Sequence, residues 1–82
     1  MTILQNGANN SIIFSNGCSY ITSYNSVIAK VDNKKVTLGK DYNYSNTTTK
    51  HLNKSLKMCG VDLDKFKIDL KNGKIEIKDY LD

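Results

Sequence analysis

Apolar residues in this chain fall into short alternating runs, separated by Asn-Gly pairs at 6–7, 16–17 and 72–73. Asn-Gly between apolar runs signals a tight hairpin, because a type I′ turn needs positive φ at both central residues. About Asn16-Gly17, a hairpin over 11–22 sets Ile13 opposite Tyr20 and Ile12 opposite Ile21, so both faces of that ribbon carry apolar groups and call for cover. A second hairpin, over 27–38, sets Val31 opposite Val36 and Ala29 opposite Leu38, with Lys30 and Thr37 on the outer face. Its loop is either Asn33-Lys34 or a longer Asp32–Lys35 turn, since lysine is a poor residue for positive φ. About Asn72-Gly73, a third hairpin over 66–78 pairs Leu70 with Ile75 and Ile68 with Ile77, leaving charged residues on the other face.

The spacing changes between 48 and 59. At 100° per residue Leu52, Leu56 and Cys59 share one arc, and Lys50, Lys54 and Lys57 lie on the opposite one, which predicts an amphipathic helix. Asn46 or Thr47 suits its start, and Gly60 supplies a left-handed stop. The expected fold class is α+β: an antiparallel sheet built from hairpins over 11–22, 27–38 and 66–78, with one helix over 48–59 packed on it. Eighty-two residues support a single small domain, 1–82, in which 1–10 read as a flexible lead-in.

Composition sharpens this picture mainly through charge. All 12 basic residues are Lys, set against 8 acids, and Arg, Trp and Pro are absent. Residues 1–29 hold no charged side chain, 30–57 hold seven Lys against Asp32 and Asp41, and 58–82 are nearly balanced. With no basic leader and no long apolar run, a cytoplasmic location in a bacterial host and no membrane contact are expected. Cys18 and Cys59 then read as two reduced thiols.

Chemistry is sparse. One His, one Glu, no Arg and no glycine-rich phosphate loop leave little for catalysis, so no enzyme, metal or cofactor is expected. The distinctive stretch is the helix entrance, Tyr42-Asn43-Tyr44-Ser45-Asn46-Thr47-Thr48-Thr49-Lys50-His51. Its first turn lacks the acid that commonly neutralises a helix N-terminus, so free amides, hydroxyls and a cation suit a phosphate or a partner's carboxylate. The binding candidates are therefore Tyr42, Tyr44, Thr48, Thr49, Lys50, His51, Lys54 and Lys57. Ile12, Phe14, Tyr20 and Ile21, in the charge-free third, are candidates for a second interface.

The segment Thr22-Ser23-Tyr24-Asn25-Ser26-Val27-Ile28-Ala29, followed by Tyr44-Ser45-Asn46-Thr47-Thr48-Thr49-Lys50-His51-Leu52, resembles small uncharacterised proteins of bacteriophages and mobile elements of low-GC Gram-positive bacteria. Those proteins carry a Tyr-Ser-x-Thr-Thr-x-Lys-His helix start. This chain departs from them at Ser55, where an aromatic or apolar residue is usual. The resemblance implies a phage accessory protein, a kind that often blocks a host machine, CRISPR effectors included. The expected function is non-enzymatic, anti-CRISPR-like inhibition or modulation of a host or defence protein by surface contact. The alternative is weakly sequence-specific nucleic-acid binding, since without Arg the commonest base-reading fork is missing. The charge-free third also leaves room for a homodimer.

Overall fold

The computed structural model describes residues 2–5, 7, 9–24 and 26–79. In chain order the elements are β1 (Thr2–Gln5), β2 (Asn10–Ser15), β3 (Cys18–Ser23), β4 (Ser26–Asp32), β5 (Lys35–Gly39), α1 (Asn46–Met58), α2 (Leu63–Lys71) and β6 (Glu76–Lys78). The six strands form one sheet in sequence order: β1 to β5 are an antiparallel meander, and β6 adds to β5 in parallel after the chain has passed through both helices. The class is α+β.

Two hairpins follow the predicted register. Ile13 lies opposite Tyr20 and Ile12 opposite Ile21, about a two-residue turn in which Asn16 (φ 53°) and Gly17 (φ 78°) are both left-handed. Val31 opposes Val36 and Ala29 opposes Leu38, about Asn33 (φ 51°) and Lys34 (φ 68°), so the shorter of the two candidate loops forms. An L-residue with a Cβ pays about 1–2 kcal/mol for that conformation, and Lys34 sits where the first hairpin has glycine. Of the Asn6-Gly7 pair, Asn6 lies outside the described residues. The alternation did not specify β1, whose four residues pair with Ser11–Phe14 of β2.

A bulge between β3 and β4 shifts the register at Ile21/Thr22 and inserts Ile28, which explains why Ile28 and Ala29 are both buried although adjacent. Pairing then aligns Leu4, Ile12, Ile21, Ala29, Leu38 and Ile77 in one row across the inner face. The middle four are at most 1 % exposed, and the row's two ends are open. Leu52 and Leu56 of α1 and Phe66 of α2 complete this core. Each large apolar side chain so buried contributes about 1.5–3 kcal/mol.

α1 lies chiefly across β3, with lesser contact to β2 and β4. Its apolar and lysine faces are as predicted, but its start is not. Ser45, in extended conformation, is the N-cap, its Oγ accepting from the Thr48 N–H at 3.1 Å, and Asn46 and Thr47 are already inside the helix. The helix stops at Gly60 (φ 81°), where the Val61 N–H bonds the Leu56 carbonyl and the Gly60 N–H bonds that of Lys57. Ser55, fully buried, donates to Asn10 Oδ1 at 3.1 Å, and Asn10 Nδ2 donates to the Thr22 carbonyl at 2.7 Å. This polar chain fastens α1 to β2 and β3.

The expected hairpin over 66–78 is absent, so the sheet carries two helices rather than one. Residues 63–71 are helical because Asp62 caps them, its Oδ1 accepting from the N–H groups of Asp64 and Lys65, and because Leu63, Phe66 and Leu70 fall at helical spacing on one side. Asn72-Gly73 is a helix stop: Gly73 is left-handed (φ 72°), the Lys74 N–H bonds the Asp69 carbonyl, and the Gly73 N–H bonds that of Leu70. Ile68 and Ile77, which the hairpin would have buried as a pair, are 59 % and 51 % exposed.

Candidate functional site

The helix entrance is largely committed to its own folding. Thr48 is buried, with its hydroxyl 3.1 Å from Ser45 Oγ, and Thr49 Oγ1 donates to the Ser45 carbonyl at 3.2 Å. His51 Nδ1 lies 2.8 Å from the hydroxyl of buried Ser23, and its ring packs at a tilt on Tyr24 with 5.8 Å between centroids. Tyr42 packs against the core while Tyr44 is 79 % exposed, so the expected pair of stacking rings reduces to one. What the entrance and helix do present outward is Lys50, Lys54 and Lys57, all exposed. No acid lies in the first turn of α1.

The four candidates for a second interface divide. Ile12 and Ile21 point into the core and are closed to a partner, a correction that follows from strand alternation: they share the inner face with Leu38. Phe14 is exposed (39 %) at the same face's margin, and Tyr20 lies on the outer face. There the register builds a continuous row, Ile3, Ile13, Tyr20, Lys30, Thr37 and Glu76, running from apolar to charged across all six strands. The Lys30 ammonium sits 5.8 Å from the Tyr20 ring centroid. Both helices contribute to the core on the inner face, so the outer row has no covering layer among the described residues.

Cys18 and Cys59 are both free thiols, partly buried. Burial raises the Cys59 thiol above its ordinary pKa, and a hydrogen bond with Ser19 offsets part of that. A raised folded-state value means that the stability contributed by the protonated thiol is present below the unfolded pKa and is lost as pH rises through the folded one. Cys59 should accordingly react more slowly with a disulfide reagent at pH 8 than an unfolded cysteine does, by at least several-fold. Equal rates in native protein and in denaturant would refute this.

Concavities also mark the surface, one of about 380 Å³ lying at the β2–β3 turn between Phe14 and Ser19. A small cleft of about 150 Å³ lies beside the entrance, lined by Ser23, Tyr24, Ser26, Ile28, Asp41, Tyr44 and Thr48. A larger groove of about 510 Å³ opens where the β4–β5 turn meets α2, with Lys34, Lys35, Lys65 and Lys74 around Val36, Val61, Phe66 and Ile75. Residue reading did not find this groove, because it exists only when 63–71 form a helix.

A model described as a family of unknown function (DUF8033) matches residues 5–73, most of the chain. The chain belongs to DUF8033. No curated protein and no solved structure matches it. The DUF8033 segment runs from the end of β1 to the Gly73 stop of α2, so it contains the meander, both helices and the turn bearing Lys34, and it ends before β6. In this DUF8033 chain no helix among the described residues is long and apolar enough to cross a membrane.

Proposed function

We propose that this protein acts without catalysis, by surface contact with another protein, and that it inhibits or modulates a bacterial defence or nucleic-acid enzyme. The observation that carries the reading is the uncovered outer row of the sheet, with Ile3 59 % exposed at its β1 end and Tyr20, two strands further in, under the Lys30 ammonium. Apolar and aromatic groups on an open face, grading into charge, have the composition of an interface centre and its rim. The motif at 44–52 that resembles phage proteins agrees with a role against a host machine.

Affinity capture from a bacterial host lysate tests it. One dominant protein should be recovered, unchanged by nuclease treatment, and Ile3→Asp should abolish the recovery while leaving the fold intact. Capture of nothing at low salt would overturn the reading.

The exposed row of Lys50, Lys54 and Lys57 favours a second reading, direct nucleic-acid binding through phosphates, with Tyr44 as a stacking ring. On that reading Lys54→Ala lowers the slope of log affinity against log salt by about one unit, as removal of one phosphate contact requires. A band shift that ignores salt, or none at low salt, would eliminate it.

A further inference from the structure

We infer that the groove between the β4–β5 turn and α2 is a binding site for an anionic ligand with an apolar body, such as an aryl or alkyl phosphate or carboxylate. Its volume, about 510 Å³, lies within the roughly 300–1,000 Å³ typical of small-molecule sites; a concavity of about 380 Å³ at the β2–β3 turn does too but is lined by no charged residue, and the cleft beside the helix entrance is far smaller. The base is apolar, since Val36 and Phe66 are 6 % and 4 % exposed and Val61 and Ile75 pack against the same core. Such a base takes a hydrocarbon or ring.

The rim selects charge. Four lysines line it, with Asp62, Asp69 and Glu76 as the acids. Two of those acids are engaged: Asp62 caps α2 through its Oδ1, and Glu76 lies 3.8 Å from Lys78 Nζ. All three acids keep their charge, so four lysines against three acids leave the lining at a formal +1, which favours an anion over a cation.

Lys34 supplies the independent observation. It holds φ 68° at a turn position where Gly17 serves in the same chain at φ 78°, so glycine would satisfy the backbone with less strain. A Cβ built on Gly60 would lie 4.0 Å from Lys34 Cε, which places the lysine stem along the groove wall toward the α1–α2 corner. Non-glycine residues held in this region cluster where the side chain has a task. Here the Cε position beside Gly60 brings the Lys34 stem to the groove lining.

The test is a titration of the isotope-labelled full chain, followed by amide shifts, with phenyl phosphate in one arm and a short acidic peptide containing one phenylalanine in the other. Saturable shifts at Lys34, Val61, Lys65 and Ile75 are expected with phenyl phosphate, and tighter binding of the peptide would overturn the assignment to a small molecule. Lys34→Gly should keep or raise the melting temperature and weaken binding at least five-fold, and Lys65→Gln should weaken it similarly. Ile3→Asp and Lys54→Ala, outside the groove, should bind normally, which separates this site from the sheet face. No saturable binding in either arm, shifts centred on Lys50, Lys54 and Lys57, or full affinity in Lys34→Gly would each overturn the assignment.

Discussion

Phe66→Ala should cost about 3–5 kcal/mol, whereas Ile68→Ala, two residues along the same helix, should change stability by less than about 0.5 kcal/mol. Phe66 is 4 % exposed and joins the sheet's core from α2, while Ile68 is 59 % exposed on the other side. A domain of this length holds roughly 4–12 kcal/mol in total, so the first change brings much of the population close to unfolding. Urea denaturation of both variants measures the contrast. Similar losses would point to the strand pairing over 66–78, in which both side chains face the core, and would count against a helical 63–71.

The second large effect is expected at Asn10, which is 1 % exposed and bridges the Thr22 carbonyl to the Ser55 hydroxyl. Asn10→Ala leaves the buried Ser55 hydroxyl and the part-buried Thr22 carbonyl short of a partner and removes at least two hydrogen bonds, for a cost of about 2–4 kcal/mol. Ser55→Ala alone should cost less, and the double variant should fall short of the sum by about 1 kcal/mol or more, because the two side chains act through one bond. Strict additivity in that cycle would refute the coupling. The bridge also accounts for serine at 55: a larger apolar side chain would collide with Asn10 where the hydroxyl now meets it, in a position with no exposed surface.

Legibility followed the range of the signal. The strand pairing of the hairpins about 16–17 and 33–34 was legible to the residue because a one-residue slip would turn Ile12, Ile21, Ala29 and Leu38 out of the core, whereas the length of the second loop was not. The faces of α1 were legible for the same reason at helical period. Asn72-Gly73 misled because a left-handed glycine serves a hairpin turn and a helix stop equally well. The discriminating signs were Asp62 as a cap and Leu63, Phe66 and Leu70 at helical spacing. β1 offered two apolar residues and no partner pattern. Of the candidate site, the Lys row on α1 was visible from spacing alone. The burial of Thr48, the Ser23–His51 bond and the groove under Lys34 were not, since each joins residues from distant elements that only the packed fold brings together.

The parallel pairing of β5 with β6 also orders events in time. Every meander pair joins sequence neighbours and can form with little loop closure, but β6 finds β5 only after α1 and α2 have folded back across the sheet. Its three residues are all exposed, so little apolar burial resists their release. β6 is therefore expected to dock last and detach first, and its amide protons should exchange faster than those of β3 under native conditions. Since Glu76 and the adjoining Lys74 and Ile75 form one wall of the groove, that opening would widen the groove without disturbing the meander.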